Sequence, residues 1–373
     1  MMESTQPKKV LYILDCLYAN AGGGSEQQFL KLYSRCEQTG VDPYVVFLRE
    51  KEVHHRIEWA REPVVLGIPS FKSPALFVGL LKLLRFIRRE RIRVLHTLFD
   101  DASMLGAVIK LLAPGVTLIA SQRNLGYAHK GVRRQLIAVA FRLADYVVVN
   151  ASVIANWLIS DYRTPGHKIT VIRNFYVEPP IYPPERVRAC LAEIRQQHDV
   201  VVVVVANLRA VKGIDELLSA ALLTRESASI GYVILGDGGG LDDYRKRVRE
   251  LGLEGTVHLF GYQHDVTCYL QAADVAVLPS RSEGLSNALV EYMFAGLPIV
   301  ATDVGGNREA LDNGECGELV SPRNPRALAD GILGLVKQPK LRKLLGEKAR
   351  ASAQRRFNLD AVTRSYRELY EKA

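Results

Sequence analysis

One segment in the C-terminal half restricts the fold of this chain more than any other. Its apolar run over residues 274–280, DVAVLPS, is typical of a buried strand in a parallel sheet. Ser286 or Asn287 can cap a helix, which Gly296 and the proline two positions later would end. A second apolar run over residues 299–304 predicts the next strand. A strand–helix–strand unit of this kind places its loops at the carboxyl edge of the sheet, where open α/β folds bind ligands.

Two glutamates flank the start of the predicted helix at a spacing that limits their chemistry. Glu283 and Glu291 are eight positions apart, which is roughly 12 Å along a helix with a rise of about 1.5 Å per residue. Glycosidases need paired carboxyls about 5–9.5 Å apart, so a two-carboxylate hydrolase is a poor fit. The N–H groups of a helix's first turn can instead bind a diphosphate, and the two carboxylates suit the hydroxyls of a sugar and a ribose. The predicted ligand is a nucleotide sugar, with its diphosphate held by the amides of Leu285, Ser286, Asn287, Ala288 and Leu289.

The same segment resembles the signature of retaining glycosyltransferase family 4. The shared pattern is a glutamate, seven residues, a second glutamate, and then the run AGLPIVAT. The resemblance implies that Glu283 lies by the transferred sugar and that Glu291 binds the ribose hydroxyls. It also implies the GT-B architecture and front-face transfer, in which the leaving phosphate takes the acceptor proton.

Two basic residues, Arg209 and Lys212, stand in the segment ANLRAVKG between a predicted strand and a predicted helix. Their charges can neutralise the leaving diphosphate as the glycosidic bond breaks, and we expect them to act with Glu283. The family resembled here often has its arginine two positions earlier, where this chain has Asn207. Lys212 therefore matches the family's pattern directly, and Arg209 does so less closely.

Glycine loops supply further candidates for donor binding. Neither the loop over residues 22–26 nor GDGGGL at residues 236–241 has the G-x-G-x-x-G spacing of a dinucleotide site. In the family resembled, such loops let the backbone approach the donor phosphates, and FGYQHDV at residues 260–266 lies where the base is held. The candidates from these loops are Gly23, Gly24, Gly236 and Tyr262.

Acceptor-side candidates lie in the N-terminal half. His96 is expected at the end of a strand and at the edge of a cleft, although a structural histidine is an equally simple reading. His129 competes with it for a role. Many family members have a histidine after the fourth strand, where this chain has Ser121 and Gln122 followed by Arg123 and Asn124. We therefore expect Arg123 or Asn124 to contact the acceptor.

Strands and helices alternate along both halves, which predicts an α/β fold of two tandem Rossmann-like domains. The GT-B architecture that the resemblance implies has two such domains facing each other across a cleft. A proline cluster over residues 176–185 reads as the linker between them. The predicted domains are residues 1–176 on the acceptor side and 177–356 on the donor side. The resemblance implies that the segment 357–373 is a helix that packs back on the first domain.

Composition narrows the class of protein. A chain of 373 residues with 48% hydrophobic and 24% charged residues is long enough for two globular domains. It has no apolar run long enough to span a membrane, and its N-terminus reads as a first strand and not a signal peptide. Five cysteines without a C-x-x-C pair are expected to be buried thiols in a cytoplasmic protein.

The excess of positive charge is confined to the N-terminal half. Residues 1–176 have 24 Lys and Arg against 14 Asp and Glu, a net charge of +10, whereas the remainder has a net charge of −1. No nucleic-acid motif accompanies this charge, so no nucleic-acid partner is expected. The basic amphipathic segments 80–93 and 132–143 could rest on an anionic membrane surface at its inner face, or could be ordinary helices with solvated basic faces.

The predicted function is a retaining hexosyltransferase that uses a UDP- or GDP-linked sugar and a glycan or lipid-linked acceptor, in polysaccharide or glycolipid synthesis. No D-x-D motif occurs in the chain, so no metal and no cofactor are expected. The alternatives are a sugar-nucleotide epimerase, a phosphorylase, or a non-catalytic nucleotide-sugar-binding protein.

Overall fold

A computed structural model of the protein describes residues 7–17, 24–49, 57–126 and 129–373. The chain divides into two compact units. The first consists of residues 1–175 together with Leu359–Ala373, and the second of Tyr176–Asn358.

Within the described residues, the first unit contains a seven-stranded parallel sheet in the order β3-β2-β1-β4-β5-β6-β7. The central strands are buried on both faces, which is why they read as continuous apolar runs. The strands are β1 (Lys8–Leu14), β2 (Val41–Phe47), β3 (Val64–Val65), β4 (Val94–Leu98), β5 (Thr117–Gln122), β6 (Tyr146–Val149) and β7 (Ile169–Val171).

Helices cover both faces of this sheet. The helices α2 to α5 pack on one face, and α1 packs on the other together with α15, which joins the first unit from the far end of the described chain. The helices are α1 (Gly24–Tyr33), α2 (Ala75–Glu90), α3 (Asp100–Leu112), α4 (Gly131–Leu143), α5 (Ser152–Tyr162) and α15 (Leu359–Lys372).

The second unit, all of whose residues are described, has a six-stranded parallel sheet in the order β10-β9-β8-β11-β12-β13. Its strands are β8 (Val200–Val205), β9 (Ile230–Leu235), β10 (Val257–Gly261), β11 (Val275–Leu278), β12 (Ile299–Thr302) and β13 (Glu318–Val320). Its helices are α6 (Pro184–Cys190), α7 (Ala192–Gln197), α8 (Ile214–Thr224), α9 (Leu241–Glu250), α10 (Val266–Ala272), α11 (Asn287–Phe294), α12 (Asn307–Ala310), α13 (Pro325–Val336) and α14 (Pro339–Arg356).

The α/β class predicted from the alternating pattern is confirmed, and the helix predicted after Ser286 is α11. The strand β13 is absent from the predicted pattern because only three of its residues are extended and Glu318 at its start is exposed. None of the helices formed by the described residues combines the length and the apolar character needed to cross a membrane.

The expectation of five free thiols is wrong for two of the cysteines. Cys190, at the end of α6, forms a disulfide with Cys268 in α10. The helices α6 and α10 pack together and bring the two Cα atoms to 6.5 Å, within the range that a disulfide spans. Among the described residues the other three cysteines, Cys16, Cys36 and Cys316, are buried and free.

Candidate functional site

The loops that follow β8, β11 and β12 meet at the carboxyl edge of the second sheet, because parallel strands end at the same side. Lys212, on the loop after β8, places its Nζ 2.6 Å from Oε1 of Glu283, on the loop after β11. Ser280 donates its hydroxyl to the same oxygen at 2.6 Å. The Glu283 side chain is 9% exposed and that of Lys212 is 24% exposed. The structure thus brings together two of the three predicted catalytic residues.

Arg209, the third of these, is exposed and lies directly before a short 3-10 turn at residues 210–212. Its guanidinium forms no ion pair with any carboxylate of the described chain. It stands near Lys212 in sequence but does not share its contact with Glu283.

A second ion pair, which the sequence did not predict, joins the loop after β11 to α8, the helix that follows the Lys212 loop. Arg281 donates from Nε and Nη2 to the two carboxylate oxygens of Glu216 in α8, at 2.7 and 2.9 Å. The amide of Arg281 also donates to the carbonyl of Val211 at 2.8 Å. A bidentate pair fixes the relative orientation of its two side chains as well as their charge. This contact therefore fixes the position of the Glu283 loop relative to the Lys212 loop.

The turn after β12 supports Glu283 from behind. Gly305 has a φ of +54°, and a Cβ atom built on it would lie 1.9 Å from the carbonyl oxygen of Glu283. The amide of Gly306 donates to the carbonyl of Gly284 at 2.6 Å. Only a glycine allows the two turns to approach this closely.

The helix α11 begins as predicted, but its first turn offers fewer amides to a ligand. Ser286 is the N-cap, and its hydroxyl accepts from the amide of Leu289 at 3.5 Å. The expectation that all amides up to Leu289 are open to a diphosphate is therefore wrong for Leu289, because the cap uses it. Leu285 and Ser286 are buried, and Asn287 and Ala288 are partly exposed.

Glu291 lies on α11, where it is partly buried. Tyr176 is its neighbour. Burial first, and the nearby Glu291 carboxylate second, raise the pKa of that tyrosine. The Tyr176 ring stacks on Phe294 with centroids 4.2 Å apart. Tyr176 is thus a neighbour of the predicted ribose ligand that the sequence did not indicate, since the two are more than a hundred positions apart.

The two remaining donor-side candidates in this unit follow neighbouring strands. Gly236 follows β9 with a φ of +131°, and a Cβ atom there would lie 2.1 Å from the carbonyl oxygen of Ala206. Its amide donates to the carbonyl of Gly261 at 2.7 Å. Tyr262 follows β10, and its ring is 44% exposed beside His264.

A cavity of about 160 Å³ lies in the first unit, where β1, β4 and β5 end. Two of the acceptor-side candidates, Arg123 and Asn124, line it. Gly23 falls outside the described residues, and Gly24 begins α1. The cavity is lined by Asp15, Ser25, Leu98, Phe99, Asp100, Ser121, Gln122, Arg123 and Asn124.

Asp15 is a lining residue that no motif in the sequence indicated. Burial first, and then the nearby Asp101 carboxylate, raise the pKa of Asp15 from 3.8 to about 7. One of its oxygens accepts from the amide of Ala102 at 2.8 Å. The only signal in the sequence was its position directly after the apolar run of β1, at the carboxyl end of a central strand.

Arg123 is held in place by neutral groups. Its Nη1 donates to Oδ1 of Asn174 at 2.9 Å, and its Nη2 donates to the hydroxyl of Tyr366 in α15 at 3.0 Å. Its Nε is buried and has no hydrogen-bond partner among the described residues. Asn124 is exposed, and its Oδ1 accepts from the amide of Gly126 at 2.7 Å.

The placement of His96 at a cleft edge is wrong. Its strand continues to Leu98, and the side chain is fully buried. Burial and the nearby Arg123 lower the pKa of His96 to about 3, so its ring is neutral. Its Nδ1 lies 2.8 Å from the hydroxyl of Tyr370 and its Nε2 lies 2.8 Å from that of Ser121, which lines the cavity. His96 therefore acts behind the cavity wall.

His129, the competing histidine, is 9% exposed. Its Nε2 lies 2.7 Å from a carboxylate oxygen of Asp100 and its Nδ1 lies 2.6 Å from the hydroxyl of Tyr162. It too reaches the cavity through another residue. Among the residues that the structure describes, no group of three His, Cys, Asp or Glu side chains is arranged to hold a metal ion.

Two family models match the chain and together span most of it. The model for glycosyl transferases group 1 matches residues 192–352, and the model for glycosyltransferase family 4 matches residues 22–176. The chain belongs to the family 4, group 1 glycosyltransferases. The enzyme class and the family expected from the glutamate pattern are thus confirmed.

Curated relatives of this glycosyltransferase differ in what they act on. It is 23% identical to the N-acetyl-alpha-D-glucosaminyl L-malate synthase of Bacillus anthracis, over 78% of this chain and 77% of that protein. It is 30% identical to the D-inositol 3-phosphate glycosyltransferase of Corynebacterium aurimucosum, over 62% of this chain and 57% of that protein.

Solved structures confirm the predicted GT-B fold. HepE of Anabaena, solved in complex with UDP, superposes with a TM-score of 0.83 at 20% identity, over 98% of this chain and 100% of that one. The sucrose-phosphate synthase of Thermosynechococcus elongatus superposes with a TM-score of 0.82 at 21% identity, over 98% of both chains.

Proposed function

We propose that this glycosyltransferase is a retaining enzyme that needs no metal and moves a hexosyl unit from a UDP- or GDP-linked sugar to a hydroxyl. The contact between Lys212 and Glu283 carries this proposal. An ammonium has three donors, and Glu283 accepts one of them, so two remain for oxygens of a diphosphate. Lys212 can thus bind the leaving group while it positions the carboxylate assigned to the sugar.

The step asked of these residues is charge neutralisation. As the bond from sugar to phosphate breaks, negative charge grows on the diphosphate. The side chains of Lys212 and Arg209 and the amides in the first turn of α11 stabilise that charge. Groups held in advance for such a charge contribute about 10²–10³-fold each to the rate. The leaving phosphate takes the proton of the acceptor hydroxyl on the same face of the sugar, and Glu291 holds the ribose.

The acceptor site is proposed to be the cavity of the first unit. Its lining combines carboxylates, hydroxyls, amides and one guanidinium, the side chains that bind a hydroxyl-rich molecule through many hydrogen bonds. A glycan or a lipid-linked sugar fits this description, in polysaccharide or glycolipid synthesis on the cytoplasmic side of a membrane.

The Cys190–Cys268 disulfide instead favours an oxidising compartment, where disulfides persist, over the cytoplasm. Alkylation of the protein inside intact cells, read by mass spectrometry, would decide this point.

The test begins with calorimetric titration of UDP, GDP, ADP and CDP, each with Mg²⁺ and with a chelator. One nucleoside diphosphate should bind equally well in both conditions. Glu283→Gln should keep that affinity and lose transfer, whereas Glu291→Gln should lose affinity. Glu254→Gln, an exposed carboxylate of the same unit, is the matched control and should change neither.

Product analysis separates the alternatives. Proton NMR of the product should show the anomeric configuration of the donor. Conversion of the donor without an acceptor would assign an epimerase, and a requirement for inorganic phosphate would assign a phosphorylase. Nucleotide binding without turnover for any acceptor would assign a binding protein and refute the proposal.

A further inference from the structure

Exposed apolar side chains are concentrated on one layer of helices. Nine of the fifteen large hydrophobic residues that are exposed in the described chain lie on α2, α3 and α4. These helices are neighbours on one face of the first sheet, with α3 in contact with both others. The most exposed are Phe77 at 75%, Val132 at 70% and Leu111 at 65%. We call the outer side of this layer, formed by α2, α3 and α4, the outer helix face.

These side chains are not needed to cover the sheet. Leu83 and Ile87 of α2, Ile109 of α3 and Ile137 of α4 are buried against it, and they already give each helix an apolar inner side. The outer helix face is therefore a second apolar surface. Monomeric soluble proteins rarely expose apolar side chains in such concentration without a partner for them.

Positive charge lies on the same helices. α2, α3 and α4 contain eight Lys and Arg against three Asp and Glu, a net charge of +5. Lys82, Arg85 and Arg88 of α2 and Arg142 of α4 are exposed. Within the described chain, none of these four forms an ion pair with a carboxylate.

This combination selects the kind of partner. A second copy of the chain, docked through the same face, would bring like charges together and be repelled. An anionic lipid surface accepts both features, because its acyl boundary takes apolar side chains and its headgroups attract Lys and Arg.

The outer helix face and the cavity of the first unit share the helix α3. Asp100 is the first residue of α3 and lines that cavity. Leu111, near the other end of the same helix, belongs to the face. One helix thus connects the surface that would meet a membrane with the cavity that would take the acceptor.

We propose that the outer helix face rests on an anionic bilayer, with Phe77, Leu111 and Val132 in the acyl boundary and the basic side chains at the headgroups. The acceptor is then a lipid-anchored sugar, which reaches the cavity from the bilayer beside it. This assignment of the acceptor rests on the proposed transferase function, whereas the membrane contact itself does not.

Flotation of the full chain with vesicles tests the contact. Vesicles of phosphatidylcholine alone are compared with an equal mixture of phosphatidylcholine and phosphatidylglycerol, at low and high salt. The protein should float only with the anionic vesicles, and less at high salt. The variant with Lys82, Arg85 and Arg88 changed to Gln should bind about 100-fold more weakly, at roughly fivefold for each charge.

The apolar contribution is tested with Phe77, Leu111 and Val132 changed to Ser, which should weaken binding by at least about tenfold. The matched control changes Ile181, Leu223 and Leu344, exposed residues outside the face, to Ser and should bind as the parent does. Nucleotide titration and transfer to a soluble sugar acceptor, run on every variant, show whether the protein is folded and active.

The outcomes separate the two proposals. Transfer to the soluble acceptor without any vesicle binding would refute membrane binding by the outer helix face, while the proposed transferase function would stand. Vesicle binding without nucleotide binding would support membrane binding by the outer helix face. It would refute the proposed transferase function and, with it, the lipid-anchored acceptor. An equal loss in the control variant, or a dimer that the apolar variant dissociates, also overturns the membrane assignment.

Discussion

Replacing Asp15 with Asn measures how strongly the cavity of the first unit opposes a negative charge. The native pKa of about 7 lies above the ordinary value of 3.8, chiefly because the carboxyl is buried. Between about pH 4 and pH 7 the unfolded chain has released this proton while the native protein still holds it. Unfolding then releases a proton, so the free energy of unfolding falls as the pH rises through this window.

The size of the effect follows from the shift. About three pKa units at 1.36 kcal/mol each give roughly 4 kcal/mol in total, of which roughly 2.7 kcal/mol is lost between about pH 5 and pH 8. The amide that replaces the carboxyl has no proton to release, although its oxygen can still accept from the amide of Ala102. The Asp15→Asn variant should therefore gain roughly 2.7 kcal/mol relative to the parent over that range.

The chain allows the first unit to be followed by itself. Both of its tryptophans, Trp59 and Trp157, belong to that unit, so tryptophan fluorescence during urea unfolding reports it alone. Asp161→Asn makes the same substitution at an exposed position and is the control. A difference between Asp15→Asn and the parent that stays constant within about 1 kcal/mol from pH 5 to pH 8 would refute the reasoning.

Three further changes act on the second unit. Lys212→Ala removes the cation at Glu283, and initial rates should show transfer slower by about 10²–10³-fold, while a loss below tenfold would contradict its role. Gly305→Ala puts a Cβ atom 1.9 Å from the carbonyl oxygen of Glu283. It should lower the free energy of unfolding of the second unit by about 1–3 kcal/mol and reduce transferase activity. Unchanged activity would show that the turn can move. Cys190→Ser opens the loop of 78 positions closed with Cys268, and circular dichroism in urea should show a loss of about 4 kcal/mol, which reductant should reproduce in the parent protein but not in the variant.

Local patterns gave much of the fold. The helix predicted after Ser286 is α11, and the strands predicted within residues 274–280 and 299–304 are β11 and β12. Each of these elements has a complete apolar period and a clear stop, so its ends are decided by its own residues. The Lys212 and Glu283 loops could be placed at one sheet edge because parallel topology requires it.

Contacts between distant parts of the chain could not be predicted in this way. The bidentate pair of Arg281 and Glu216 joins residues 65 positions apart, and no sequence pattern around either residue predicts its partner. The burial of His96 depends on Tyr370, which arrives from α15. The alternation of a strand tells which side chains share a face, but not which face a later helix will cover.

The first unit takes part of its core from a helix made long after the rest of it. Tyr366 and Tyr370 of α15 are fully buried in the apolar core that also contains Tyr12 and Phe175, and Lys8 donates to the carbonyl of Tyr370 at 2.8 Å. A ribosome that adds about 5–20 residues per second needs roughly 10–40 s to travel from the end of the first sheet to α15. During that time the first unit keeps an apolar surface uncovered. Its core can therefore be completed only after the whole of the second unit has been synthesised, although its sheet is made first.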